Sequence, residues 1–357
     1  MNFRLIHQHP SPIKSNAILG WDVGGAHLKA ALVSGEGVVI DVFQVACPLW
    51  RGLEELDRAL KLIIQSIKIS PQRHVVTMTA ELVDIFPSRH EGVVQLSQFM
   101  NDHLDGEISF YSIQKSFVPI SLVSSLYQSV ASANWHASAS LIARNLQQGV
   151  FVDIGSTTSD LILMKDFLVK AKGLTDAERM AHGELLYTGV VRTPLMALCQ
   201  KIKFNGHLVN IAAEHFATTA DVYRLTHELA FEDDMADTAD GAGKTELESA
   251  RRLARMVGHD AEDADIEVWR ALAFEFREMQ LIRLEFELRS RLSQEALAVD
   301  APFIGAGAGR FLVRILAERI NKPYLDVESL MLSDESVRHW VNVCFPAVAV
   351  AKLALDL

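Results

Sequence analysis

The sequence predicts an α/β protein of two domains. Short apolar runs of strand length alternate with helical patterning along the chain, and one strand–turn–strand pattern recurs with its leading aspartates, Asp22 and Asp153, 131 residues apart. A length of 357 residues is that of roughly two domains.

The first element is the apolar run 17–21, which leads into Asp22-Val23-Gly24-Gly25-Ala26-His27-Leu28-Lys29 and then the apolar 30–33. It reads as a hairpin whose first strand ends in an aspartate. Leu53, Leu56, Leu60 and Ile64 give the helical spacing that predicts a helix over 53–67. Residues 74–79 read as a short strand ending in a polar cluster, 92–104 as a helix, and 111–112 and 117–120 as strand fragments. The Ala- and Ser-rich 124–144 predicts a further helix. The hairpin pattern then returns: 149–152 runs into Asp153-Ile154-Gly155-Ser156-Thr157-Thr158-Ser159-Asp160, followed by the apolar 161–164. Helical patterning dominates the later part, over 246–256 and over 266–297 through Trp269, Leu272, Phe276, Met279 and Ile282. A strand at 302–304 opens into Gly305-Ala306-Gly307-Ala308-Gly309, followed by a helix over 310–320 and a strand at 324–326. The apolar 341–355, interrupted by Asn342 and Lys352, falls short of the ~20 residues of a membrane span and predicts a buried C-terminal helix. With no low-complexity linker, the expected division is a first domain over 1–148 and a second over 149–335, facing each other across a cleft. A C-terminal helix over 336–357 is expected to pack back on the first domain.

Apolar residues make up 49% of the chain and charged residues 22%, an ordinary globular composition that excludes wholesale disorder. The net charge of −11 repels a phosphate backbone, and no local basic patch offsets it, so nucleic-acid binding is not expected. Cys47, Cys199 and Cys344 lie far apart, which argues against a disulfide framework or a cysteine zinc site and for a reducing compartment. Residues 1–20 carry Arg4, His7, His9 and Lys14 without an apolar h-region, so a secretory signal is not expected. A cytoplasmic protein away from membranes is the expectation, and its oligomeric state is left open.

Three turns of small residues point to phosphate chemistry. Backbone N–H groups approach a phosphate closely only where side chains are small, as at Gly24 and Gly25 and at Gly155, Ser156, Thr157 and Thr158, where hydroxyls add donors. Asp22 and Asp153, at strand ends, are placed to hold Mg²⁺ directly or through water, since that ion prefers carboxylate oxygens together with phosphate. Gly305, Gly307 and Gly309 follow a strand and open a helix, a place where a flat ring or a further phosphate approaches the backbone. A lone D-G-G hairpin is ordinarily a plain turn; two matched hairpins plus a strand–Gly-x-Gly-x-Gly–helix are a far more specific set.

These segments carry a resemblance. Asp22-Val23-Gly24-Gly25 resembles the first phosphate motif of the actin and sugar-kinase superfamily, residues 153–160 its second, and Ile304 to Gly309 its adenosine motif. That implies two ribonuclease-H-like domains of the actin-like ATPase type around a central, nucleotide-sized cleft. Within the superfamily the chain is more similar to the hydantoinase A/oxoprolinase group, and more still to the tetrahydromethanopterin-linked one-carbon transfer pathway proteins. The segments that carry this are Gly20 to Ala30, Cys47-Pro48-Leu49-Trp50-Arg51-Gly52, Met78-Thr79-Ala80-Glu81-Leu82, Phe86 to Val93, Asn134-Trp135, Phe216 to Arg224 and Ala236 to Gly241. That family includes a condensing enzyme of methanofuran biosynthesis, which joins an aminomethylfuran-methyl diphosphate to the phenol oxygen of γ-glutamyltyramine and releases diphosphate. The resemblance implies a phosphate-bearing substrate and a phenolic acceptor. It implies Asp153 as base or metal organiser, and Asp22 and Lys29 at the phosphates. It also leaves ATP as a ligand of the glycine turn, in an ATP-dependent phosphotransferase or hydrolase, and a nucleotide-gated scaffold as other readings.

Single residues carry two readings each. Lys29 neutralises phosphate or is a solvated edge lysine. Arg89 contacts substrate or pairs with Glu91 to order a loop. Glu81 and Asp84 follow a strand end, where α/β ligand sites lie, and either could bind a substrate amine. Glu232, Asp233, Asp234, Asp237 and Asp240 lack the ligand spacing of a calcium loop and read as a solvated cluster. Lys244 approaches phosphate without any Walker pattern around it. Trp50 and Trp135 stack on an aromatic substrate or are ordinary packing residues. Nothing marks Cys47 as a nucleophile.

Overall fold

The computed structural model describes residues 16–68 and 71–357. The tail with Arg4, His7, His9 and Lys14 lies outside the described residues. In chain order the elements begin with β1 (Ile18–Val23), β2 (His27–Val33), β3 (Val39–Ala46), α1 (Leu53–Ser66), β4 (Arg73–Met78), α2 (Arg89–His103), β5 (Glu107–Ser112) and β6 (Ser116–Val118). Next come α3 (Ile120–Val123), α4 (Tyr127–Val130), α5 (Asn134–Ala143), β7 (Gln148–Ile154), β8 (Ser159–Lys165), β9 (Leu168–Val169), α6 (Asp176–Ala181) and β10 (Leu185–Leu186). The chain continues through β11 (Lys201–Phe204), β12 (His207–Asn210), α7 (Thr219–Leu225), α8 (Glu246–Met256) and α9 (Ile266–Gln294). It closes with β13 (Phe303–Ala306), α10 (Arg310–Ile320), β14 (Tyr324–Asp326), α11 (Arg338–Val343) and α12 (Phe345–Leu353).

The chain divides into two compact units: one of residues up to 148 with 164–182 and 326–357, the other of 149–163 and 183–325. The stretch 164–182, expected in the second domain, therefore groups with the first. The chain also returns to the first unit at Asp326, earlier than 336. The reason lies in the side chains: α6 is held by Arg89 and Ser132 of the first unit, as described below.

The first sheet has the order β3-β2-β1-β4-β5-β6. The β1–β2 and β2–β3 pairs are antiparallel, and β1–β4 and β4–β5 are parallel. The second sheet has the order β10-β8-β7-β13-β14, with β7 and β13 parallel and β9 on the outer side of β8. Each sheet thus starts with a hairpin whose leading strand then pairs in parallel with a strand arriving from a long crossover, the ribonuclease-H-like order expected of this fold. β1 is buried at every position because both its faces are covered. On one face α12 packs so closely that a Cβ at Gly20 would stand 2.1 Å from the Ala347 carbonyl oxygen. Pro346 in the first turn of α12 needs no amide donor there, which is why a proline is tolerated.

The long helix expected over 124–144 is instead α4 and α5, broken between Val130 and Asn134. Ser132 there takes the left-handed conformation, with φ of 48°, which a helix of L-residues cannot continue through. The helix expected over 92–104 starts earlier, at Arg89, because the Ser88 hydroxyl accepts the Glu91 amide at 3.2 Å and caps it. The C-terminal helix is likewise two, α11 and α12, meeting at Cys344.

Candidate functional site

The first hairpin is closed by the Gly24 amide donating to the His27 carbonyl at 3.0 Å. A Cβ at Gly24 would stand 2.9 Å from that same oxygen, so the tight turn demands glycine. Asp22 and Lys29 are direct cross-strand partners in the β1–β2 register, so their side chains share a face. Asp22 is buried. Lys29 is no edge lysine: β2 lies between β1 and β3, and its ammonium donates to the Val343 carbonyl, at the end of α11, at 3.1 Å.

The second hairpin gathers most of the other residues singled out above. The Gly155 amide donates to Thr158 O at 2.9 Å and closes the Ser156–Thr157 turn. Ser156 O accepts from the amides of Val191 and Arg192 at 3.1 and 2.9 Å, and a Cβ at Gly189 would stand 2.4 Å from Ser156. The segment after β10 thus lies directly on the turn. It is fixed there by a buried polar network: Gly189 O accepts from Thr193 Oγ1 (3.2 Å), Thr219 Oγ1 (2.9 Å) and Gln280 Nε2 (3.0 Å). Gln280 in turn accepts from the Tyr223 hydroxyl at 2.5 Å. Beside this fixed turn, Ser156 Oγ is buried with no hydrogen-bond partner among the described residues.

The glycine turn after β13 sits against the same hairpin. The Gly309 amide donates to Ile154 O at 2.8 Å, and Asp153 and Ala306 are register partners. Gly307 has φ of +81°, and a Cβ there would lie 2.5 Å from Asp153 Oδ1. A Cβ at Gly309 would meet Ile154 and Val190, and one at Gly305 the Tyr324 hydroxyl at 2.6 Å. The side-chain space at these three glycines is occupied by the chain's own atoms, so none of the three positions has room for a Cβ.

Glu81 and Arg89, both singled out in the sequence, come together at the loop end of β4. Glu81 is completely buried; its Oε1 accepts from Ser132 Oγ at 2.6 Å, and its Oε2 has no hydrogen-bond partner among the described residues. Ser132 Oγ lies 3.2 Å from Asp176 Oδ2, and Arg89 Nη2 donates to the same Asp176 oxygen at 2.6 Å. Arg89 Nε stays 3.9 Å from Glu81 Oε1. Burial pushes the Glu81 carboxyl up to about 7 against the opposing pull of the Ser132 hydroxyl and Arg89. A Cβ at Gly92 would be 2.3 Å from Glu81 O, so α2 can lie across this backbone only with glycine there.

Several expectations are corrected. Arg89 pairs with Asp176 rather than Glu91, because α2 begins at Arg89 and turns Glu91 toward Gln95. The acidic run is solvated only in part: Glu232, Asp237 and Asp240 are exposed, but Asp233 and Asp234 are buried, and Asp234 is bound by Arg224 at 2.6 Å and Lys244 at 3.2 Å. Lys244 is thereby engaged by Asp234, whose carbonyl oxygen it also reaches at 2.6 Å. Asp240 binds the fully buried Arg252 at 3.0 Å, and Arg252 also holds Asp221 at 2.7 Å. Trp135 is buried under the Arg179 guanidinium, 4.0 Å from the ring centre, whereas Trp50 is 42% exposed. Asp84 is exposed. Burial raises the Cys47 thiol to about 12, which leaves it inert. Among the described residues no group of three His, Cys, Asp or Glu could hold a metal by itself, and no helix is long and apolar enough to cross a membrane. Ser132, Asp176, Gly189 and Gln280 escaped sequence reasoning, since each lies in an unremarkable stretch and joins its site only through the fold.

Residues 72–353 match the hydantoinase/oxoprolinase family. A protein of Methanocaldococcus jannaschii, (4-{4-[2-(gamma-L-glutamylamino)ethyl]phenoxymethyl}furan-2-yl)methanamine synthase, is 30% identical over 342 residues, 94% of this chain and 97% of the relative. The synthase of the same name from Methanococcus vannielii is 32% identical over 158 residues, 44% of this chain and 70% of the relative. Among solved structures, nucleotide-free acetone carboxylase aligns with a TM-score of 0.52 at 10% identity, over 94% of this chain and 69% of that one, a likeness of fold.

Proposed function

The chain belongs to the hydantoinase/oxoprolinase family and is an enzyme, and from that premise we propose that it is a transferase of methanofuran-type cofactor assembly. In this reading it condenses an (aminomethyl)furan-methyl diphosphate with the phenol of a glutamyl-tyramine or tyrosine acceptor. The observation that carries the reading is the likeness to a synthase named for this product along nearly the whole of both chains.

The bond between the furfuryl carbon and the diphosphate oxygen breaks, and its electron pair leaves with diphosphate. The electron-rich furan tolerates the positive charge that develops on carbon. The phenol oxygen attacks that carbon, and its proton passes to a carboxylate. Asp153 is proposed for that base or as the organiser of the metal. Asp22 and Lys29 are proposed at the phosphates. Of the hydroxyl and amide donors proposed at the Gly155–Thr158 turn, the buried Ser156 Oγ supports the reading, since it has no hydrogen-bond partner among the described residues. The donor set suits a hard cation held by one or two carboxylates plus the substrate's phosphates. Asp153 and Asp22 are each proposed as a ligand for Mg²⁺, which would neutralise charge on the departing diphosphate.

The test is incubation with the furfuryl diphosphate, a phenolic acceptor and Mg²⁺, followed by diphosphate release and ether product. Turnover without ATP is expected. No product at high enzyme concentration would sink the proposal, and ATP hydrolysis in its place would establish the ATP-dependent reading.

A further inference from the structure

The cluster around Glu81 is one positive charge short. Glu81 and Asp176 bring two carboxylates, and Arg89 brings one guanidinium, committed to Asp176 at 2.6 Å and 3.9 Å from Glu81. Ser132 has a single proton and two carboxylate oxygens within reach, at 2.6 and 3.2 Å, so it cannot satisfy both. Glu81 Oε2 makes no hydrogen bond among the described residues, although its side chain has no exposed surface, and beyond Ser132 the donor acting on this carboxyl is the residue's own amide. Buried polar atoms in native proteins are paired in the great majority of cases, and an open carboxylate oxygen in a dry site calls for an occupant. The members grade outward: the side chains of Glu81, Asp176 and Arg89 are 0%, 13% and 23% exposed. Arg89 and Asp176 thus form the solvent-facing side of the cluster and Glu81 its buried end.

We infer that Glu81, Ser132 and Asp176 form a subsite for a primary ammonium group, which under the reading above, on which the ligand's identity rests, is the aminomethyl end of the furan substrate. An alkylammonium supplies both things the cluster lacks, a positive charge and N–H donors, whereas a hydroxyl of the same size supplies no charge. The subsite lies at the loop end of β4, where open α/β sheets place ligands. It is assembled from four separate segments, with α2 held over the Glu81 backbone by the absence of a side chain at Gly92.

A proton competes for the same place. The charged groups acting on Glu81 are Arg89 from α2, which favours ionisation, and Asp176 from α6, which opposes it; burial outweighs both and brings the carboxyl to about 7. Ammonium binding requires the ionised form and releases that proton. The ligand amine, an arylmethylammonium whose pKa lies about one to two units below the ~10.4 of a lysine, stays predominantly charged over this range. Apparent affinity scales with the ionised fraction, so it should rise about tenfold from pH 6 to pH 8.

Furfurylamine, which has the ring and the ammonium but no leaving group, provides the probe. Titrated into the full chain at pH 6, 7 and 8 and followed by ligand-observed NMR, it is expected to bind with that tenfold rise. Furfuryl alcohol should bind at least about tenfold more weakly at pH 8. Glu81→Gln, which imitates the protonated form, should lose both the affinity and its pH dependence. Asp84→Asn, at the exposed carboxylate three residues on, should bind as the wild type does. Binding that is independent of pH, equal binding of the alcohol, or unchanged affinity in Glu81→Gln overturns the subsite. So does loss of binding in Asp84→Asn. Should Glu81→Gln fail to fold, the wild-type pH series and the alcohol comparison decide alone. Furfurylamine behaving as expected without any condensation would refute the proposed reaction and leave the subsite standing. Condensation with an unchanged KM for the diphosphate substrate in Glu81→Gln would do the reverse.

Discussion

A carboxyl such as that of Glu81, ordinary in an unfolded chain and raised to about 7 in the folded one, ties stability to pH. The folded state holds this proton more tightly than the unfolded state. The contribution is therefore fully present below about pH 4.5 and is lost as pH rises to about 7, where the buried carboxylate must ionise. Glu81→Gln has no proton to lose. Its melting temperature should match the wild type near pH 4.5 and exceed it by several degrees at pH 8; equal melting temperatures at both pH values would show that Glu81 is not strained by burial. Asp153 makes a different residue-scale case. It presses against the Gly307 turn, and asparagine keeps its shape while removing the charge. Asp153→Asn is expected to lower turnover by about 100-fold or more with little change in melting temperature. Near-normal activity would remove Asp153 from the chemistry. For Lys29, the bond to Val343 O makes a structural consequence certain to accompany any catalytic one. A cation at the C-terminal end of α11 is worth about 0.5–1 kcal/mol, and Lys29→Met should lose that much stability in denaturant unfolding. A loss of affinity for inorganic diphosphate beyond this, measured by calorimetry, would mark the phosphate role.

Among the elements, α12 shows how local pattern and packing agree. Its run of small and apolar residues reads as buried, and it packs where β1 presents Gly20. Gly20→Ala would put a methyl group 2.1 Å from a backbone oxygen, which neither helix nor strand can yield without shifting. A loss of about 2 kcal/mol or more, or failure to fold, is expected in chemical denaturation. The hairpins at Asp22 and Asp153 are equally legible, because a tight turn is written in a few consecutive residues: an aspartate, small residues and apolar flanks. The break between α4 and α5 is not legible. Residues 124–144 have uninterrupted helical composition, and what stops the helix is Ser132, held left-handed with its hydroxyl on Glu81, a partner 51 residues earlier in the chain. The acidic run misleads for the same reason. Charges in a row read as solvated, and Glu232, Asp237 and Asp240 are, but Asp234 is buried against Arg224 and Lys244, a pairing that the row itself does not announce.

Across the whole molecule, the duplicated sheet order follows from the repeated hairpin, so the α/β architecture is already present in the sequence. The grouping of 164–182 with the first unit is not, since it depends on α6 meeting Arg89 and Ser132. The net charge of −11 is the other property that belongs to the molecule as a whole. A diphosphate substrate approaching an acidic chain is repelled at distances beyond its local partners, and that repulsion reaches only about 8–10 Å at physiological salt but about 30 Å at 0.01 M. Direct partners, being close, are screened less. Raising the ionic strength from about 0.01 M to 0.15 M should therefore raise kcat/KM for the diphosphate substrate, by about twofold or more, at constant free Mg²⁺. A neutral analogue of the phenolic acceptor should show no such rise. If kcat/KM instead falls steeply with added salt, the field at the site is locally positive, and Lys29 and its neighbours, rather than the overall charge, govern the approach of the substrate.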